Sequence, residues 1–191
     1  MVALFIRNSG KLKWMLMLRQ TALLLCLTGL AYAALPPGGY LLPDVPIPRV
    51  RGLKIDLKAY RGKALVVALI STECPDCALT VDLLNTLQEE NASHGLQVVV
   101  AAGDEHAAAN LPGFEIQHRP KFPLGYLDQP SFIKLASLQP TARPFVPILM
   151  FVDPKGMVRV KLMGDDPLMK KRELTIRSTI RELLKEPGIK P

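Results

Sequence analysis

The chain has 191 residues, 49% of them hydrophobic and 21% charged, with 24 basic against 17 acidic side chains. That length fits one domain with a full core plus a short N-terminal extra. Three cysteines are too few for a scaffold of bridges, and no internal repeat or low-complexity run points to an array or a disordered chain.

The extra is residues 1–33. Arg7, Lys11, Lys13 and Arg19 form a basic region without acids, Thr21 to Leu30 is a short apolar stretch, and Ala31-Tyr32-Ala33 is an A-x-A cleavage site before Ala34. This is the pattern of a secretory signal peptide, with Met15 or Met17 as alternative starts. The apolar stretch is short for a membrane span, so an uncleaved anchor is the alternative, and membrane contact is expected only in that case. Cleavage would remove four basic residues and lower the formal charge from +7 to +3. The basic balance is therefore partly a targeting feature and does not argue for nucleic acid. Cleavage would also remove Cys26 and the only tryptophan, Trp14. The expected location is the periplasm or the outer face of the cytoplasmic membrane, where disulfides persist.

Residues 34–50 carry five prolines and no helical period, and read as an extended lead-in to a domain spanning residues 51–187. Leu53-Lys54-Ile55-Asp56-Leu57 alternates at period two, which predicts a short, half-exposed strand. Tyr60-Arg61-Gly62-Lys63 turns the chain into Ala64–Ile70, an unbroken apolar run expected of a strand buried on both faces. Ser71-Thr72-Glu73 then leads to Cys74-Pro75-Asp76-Cys77, beyond which the period becomes helical. Leu79, Leu83 and Leu87, with Leu84 beside them, predict the inward face. Pro75 suits the first helical turn, where its missing N–H is no loss. Gly95, after His94, is the predicted C-cap, and Leu96–Ala102 is a second buried strand ended by Gly103-Asp104.

From Glu105 to Asn110 an alanine-rich stretch predicts a short helix stopped by Pro112-Gly113. Phe122–Leu127 reads as a strand, and Ser131–Leu138 as a short helix with Phe132, Leu135 and Leu138 inward. Pro147 opens a buried strand over Ile148–Val152. Asp153-Pro154-Lys155-Gly156 has the residue preferences of a type I turn, and Met157–Met163 returns as the antiparallel partner. Asp166-Pro167 starts a last helix with Ile176, Ile180, Leu183 and Leu184 on one stripe, stopped by Pro187-Gly188.

The two thiols of Cys74 and Cys77 thus fall where a buried strand ends and a helix begins. Unpaired N–H groups and the macrodipole at a helix N-terminus favour a thiolate at Cys74. Cys77 lies one turn behind, placed to resolve a mixed disulfide formed at Cys74. As an inert staple the pair would close so short a loop that it would stabilise little. As a zinc site it lacks a second Cys pair. Glu73 and Asp76 put two negative charges beside the dithiol, where they oppose thiolate formation and favour a reducing couple. The alternative is that both are merely solvated acids suited to a helix N-terminus. His94, His106 and His118 read as surface residues.

The order strand–helix–strand, inserted helix and strand, helix, hairpin and closing helix is that of an α/β fold with a mixed central sheet and helices on both faces. With Cys-x-x-Cys at the first strand–helix junction it resembles the thioredoxin fold. More narrowly, Pro43-Asp44, Leu57, Tyr60-Arg61-Gly62-Lys63, Cys74-Pro75-Asp76-Cys77, Val146-Pro147 and Asp153-Pro154-Lys155-Gly156 resemble the TlpA/ResA branch of exported thiol–disulfide oxidoreductases, which overlaps the redoxin and AhpC/TSA grouping. The resemblance spans about residues 42–186. It implies a protein disulfide reductase needing no cofactor, with Cys74 attacking and Cys77 resolving, and with Pro75 between them. It also implies a cis-proline at Pro147 lying against the dithiol and the Val146 backbone docking a client's extended segment. Its partners would be disulfide-containing client proteins and an upstream membrane thiol donor. Two departures stand out: Glu73 occupies a position where the family commonly has Trp, and Asp76 one where small or apolar residues are usual. Two alternatives remain open. A peroxiredoxin-like peroxidase would place Pro and Thr where this chain has Val67 and Ser71, and copper(I) delivery would draw on the soft thiolates with one histidine.

Overall fold

The computed structural model describes residues 38–188. The signal-sequence expectation for residues 1–33, with Cys26, lies outside them. Six strands form one mixed sheet: β1 (Tyr40–Leu41), β2 (Ala64–Ile70), β3 (Leu96–Ala102), β4 (Leu124–Tyr126), β5 (Ile148–Val152) and β6 (Met157–Leu162), in the order β1-β6-β5-β2-β3-β4. Strands β2, β3 and β4 run parallel, whereas β5 is antiparallel to β2 and β6 to β5. The helices are α1 (Pro75–Asn91), α2 (Ala107–His118), α3 (Gln129–Leu135) and α4 (Arg172–Leu183).

Every residue of β2 is buried, because its two sets of alternate side chains enter different cores. Ala64, Val66, Ala68 and Ile70 join α1, α2 and α4, packing against Val81, Leu84, Leu111, Ile176 and Ile180. Leu65, Val67 and Leu69 join Val45, Ile47, Phe132 and Leu135 from the lead-in and α3. Burial on both faces is the reason for the unbroken apolar run, since neither set of alternate positions reaches water. Helices cover both faces, and α2, β4 and α3 form the insertion between β3 and the strand that follows Pro147.

The structure corrects several local expectations. No strand forms over Leu53–Leu57: Leu53 is exposed, Ile55 makes a single bridge to Ile47, and Leu57 begins a 3₁₀ turn capped by Asp56. Alternation there reflects Ile55 and Leu57 reaching under the sheet from a loop. The lead-in is extended, but it also supplies edge strand β1 and the buried Val45 and Ile47. Helix α1 buries Leu84 and Leu87 of the predicted face and partly covers Leu83, but the inward stripe is rotated toward Cys77, Thr80, Val81 and Gln88, and Leu79 stays 59% exposed. Pro112 and Gly113 do not stop α2, which runs through them to His118 and ends at Arg119 in the left-handed region. Pro112 lies inside the helix, where it forgoes one i→i−4 hydrogen bond, and the buried Leu111 and Phe114 on either side hold the helix through it. Strand β4 is shorter than predicted, and α3 buries Ile133 with Phe132 and Leu135. Asp166 caps a 3₁₀ segment, Pro167–Lys171, and α4 itself starts at Arg172. The Gly95 C-cap, with φ at +88°, and the Asp153–Gly156 turn form as predicted.

The register collects particular chain ends at one edge of the sheet. Ile70 pairs with Ala102 and Leu69 with Ile148, so the segments after β2, after β3 and before β5 emerge side by side. These segments hold Cys74, Asp104 and Pro147.

Candidate active site

The loop Ser71-Thr72-Glu73 leaves β2 at that edge and feeds α1. Cys74 is the N-cap, with extended backbone, and its Sγ accepts a hydrogen bond from the Cys77 N–H at 3.2 Å. A sulfur placed there faces the free N–H groups of the first turn. Pro75 follows at the first helical position, as its sequence context predicts. Both cysteines are free thiols, Cys74 partly exposed and Cys77 with no exposed surface. Burial pushes the Cys77 thiol far above the ordinary thiol value. Its hydrogen bond with Cys74 pushes the same way, a backbone hydrogen bond at Ser71 opposes, and the charges of Cys74 and Asp76 add to the rise. One thiol is thus accessible and the other is held protonated beneath it.

The predicted neighbours divide. Val146–Pro147 is a cis peptide bond, with Pro147 buried and Val146 partly so, at the sheet edge that also carries the dithiol. Gly164 closes on this segment from β6's far end, its N–H donating to Phe145 O at 2.9 Å. Phe145 itself is 62% exposed beside it. Glu73 is exposed, with Asn110 Nδ2 at 3.5 Å from its Oε1. Asp76 is not free: Arg172 Nη2 donates to its Oδ1 at 2.6 Å. His94 and His106 are on the surface as expected. His118 is not, since its ring packs against Phe114 at 4.4 Å between centroids and bonds Asp82 Oδ1 at 2.8 Å. Among the described residues no group of three or more His, Cys, Asp and Glu side chains is arranged to hold a metal.

A clamp that the sequence reading did not anticipate holds the approach to Cys74. Asp104 accepts from the Thr72 N–H and from Thr72 Oγ1, both at 2.6 Å, and Asn110 Nδ2 donates to Thr72 Oγ1 at 3.0 Å. A carboxylate just past the end of β3 can reach the loop just past the end of β2 because parallel neighbours finish at the same edge. That was the available signal for Asp104. Asn110 comes from α2 and Arg172 from α4, and nothing local marks either.

Comparison with known proteins leads to the same class as the geometry: the chain is a thiol–disulfide oxidoreductase of thioredoxin fold. It belongs to the AhpC/TSA family, which it matches over residues 39–161. It is similar to the thiol-disulfide oxidoreductase ResA of a Bacillus cereus strain, with 25% identity over 123 residues, covering 64% of this chain and 68% of the relative. ResA of Bacillus thuringiensis subsp. konkukian is 24% identical over the same shares of the two chains. Among solved structures, a thiol:disulfide interchange protein of Chlorobium tepidum TLS shares the fold with a TM-score of 0.64 and 18% identity, over 78% of this chain and 99% of that one. The thioredoxin domain of a thiol-disulfide oxidoreductase from Bacteroides vulgatus superposes with a TM-score of 0.57 and 16% identity, over 73% of this chain and 99% of that one.

Proposed function

We propose that this protein is an exported protein disulfide reductase in which Cys74 attacks and Cys77 resolves. The observation that carries the reading is the asymmetry of the two thiols: Cys74 is accessible and caps a helix, while Cys77 is wholly buried one turn behind. The Cys74 thiolate attacks a client disulfide, a Cys74–client bond forms, and one client sulfur leaves. Cys77 then gives up its proton and attacks Cys74 sulfur, which closes the Cys74–Cys77 disulfide and expels the second client sulfur. Two electrons pass from the dithiol to the client, and the two thiol protons end on the client sulfurs. A membrane thiol donor on the outer side returns the dithiol to its reduced state.

Direction rests on how little the site stabilises a thiolate. Strong oxidants of this fold stabilise their reduced form, whereas here burial keeps Cys77 protonated and Glu73 adds a negative charge next to Cys74. Val146 and Pro147 are proposed to dock the client's extended segment, with exposed Phe145 beside them. Export is supported by the signal pattern of residues 1–33. Among the described residues no helix is long and apolar enough to cross a membrane.

The test is turnover of an insulin-type disulfide with dithiothreitol as donor. The wild type should be active, Cys74→Ser inactive, and Cys77→Ser should accumulate a mixed disulfide with the client. Rapid peroxide consumption, or tight stoichiometric copper(I) binding, in place of that turnover would overturn the assignment. Export is checked by sequencing the processed N-terminus, expected near Ala34, in a product lacking Trp14 and hence tryptophan fluorescence.

A further inference from the structure

Arg172 is the first residue of α4, and Asp76 lies in the first turn of α1, 96 positions away in sequence. Their side chains meet at 2.6 Å beside the dithiol, with the arginine 22% and the carboxylate 67% exposed. Two features show that the arginine does not serve its own helix. A cation at a helix N-terminus faces the positive end of the macrodipole, which disfavours it. Its Nε is also buried without a hydrogen-bond partner, an arrangement that weakens the fold locally. The pair itself adds little stability, since its carboxylate is largely in water. What the pairing does change is the field at the cysteines. Asp76 stands between them, and as a lone charge it would oppose formation of a thiolate on either.

We infer that Arg172 is a positioning residue that neutralises Asp76 and thereby sets the reduction potential of the Cys74–Cys77 couple. The inference rests on that couple being the redox centre. With Asp76 paired, the reduced dithiol is easier to form than the sequence implies, and the couple is less reducing than two unpaired acids would make it. Glu73 has Asn110 rather than a cation beside it. Of the other charges within two residues of Arg172, Lys170 and Lys171 are positive and Glu173 is negative, and all three are exposed.

The experiment is a charge cycle read as reduction potential, using the full chain equilibrated with glutathione buffers. Arg172→Gln should expose Asp76 and move the equilibrium constant about threefold to tenfold toward the more reducing side, about 15 to 30 mV for a two-electron couple. Asp76→Asn should leave the arginine uncompensated and move it by a similar factor the other way. The double variant should return to within about twofold of wild type, and Arg172→Lys should stay close to wild type. Loss of packing alone cannot give opposite signs that cancel. Single variants that shift in the same direction, or that do not shift, overturn the inference. If Arg172→Gln fails to fold, the oxidising shift of Asp76→Asn and the neutrality of Arg172→Lys decide it. A wild type with no measurable dithiol couple would instead refute the proposed function.

Discussion

The clamp on Thr72 makes a quantitative prediction about how Cys74 is held. Asp104→Ala removes both 2.6 Å hydrogen bonds to Thr72, one from its backbone and one from its hydroxyl. Hydrogen bonds to a charged group are worth about 1.5–3 kcal/mol each, and these are only partly shielded from water, so the low end applies. The expected loss is about 2–3 kcal/mol, which for a domain of this size lowers Tm by about 4–12 °C. Thr72→Val deletes the hydroxyl's bonds with Asp104 and Asn110 but keeps the backbone N–H bond to the carboxylate, and should cost less than Asp104→Ala. Activity should fall further than stability. The loop 71–73 leads directly into the N-cap, and a displacement of about 1 Å at a reacting group can cost up to about a hundredfold. The assay pairs thermal unfolding with kcat/KM for an insulin-type disulfide. An Asp104→Ala protein that melts with the wild type and turns over at the same rate would refute the clamp, as would a Thr72→Val protein more damaged than Asp104→Ala.

Two further outcomes test the site from other sides. In the reduced protein Cys77 is held neutral above its ordinary value of 9.0 chiefly by burial. The unfolded chain therefore binds fewer protons as pH rises past that value, and stability must fall there, by up to about 1.36 kcal/mol per pH unit. Denaturant unfolding between about pH 8.5 and 10.5 should show this slope in reduced wild type and not in Cys77→Ser; identical slopes would mean that Cys77 is not buried as described. A methyl group at Gly164 would sit 2.4 Å from Val146 O and 2.8 Å from its carbonyl carbon. Gly164→Ala should push back the segment proposed to dock clients and raise KM for a protein disulfide more than for a small-molecule disulfide. Unchanged KM for both would remove Val146 from the docking surface.

Much of this protein was legible in the chain because its causes are local. The unbroken run Ala64–Ile70 declared a strand buried on both faces, Pro75 and the change of period located the start of α1, and Gly95 located a helix end. These signals placed Cys74 at a helix N-terminus and Cys77 one turn behind it. They could not choose which face of α1 turns inward. The helix carries apolar side chains on two overlapping stripes, and only the position of the sheet decided that Val81, Leu84 and Leu87 are covered while Leu79 is left in water. Pro112 misled for a similar reason. A local breaker is tolerated when Leu111 and Phe114, on either side of it, are pinned to the core. The electrostatics of the site were least legible. Asp76 read as a lone negative charge because its neutralising arginine comes from the last helix, and Asp104 and Asn110 reach Thr72 from 32 and 38 residues away. The sequence by itself determined the buried strands, the helix that carries the dithiol and the two thiols. The tertiary structure alone decided which charges stand beside them, because a charge acts across space and the fold brings those residues within a few ångströms of one another.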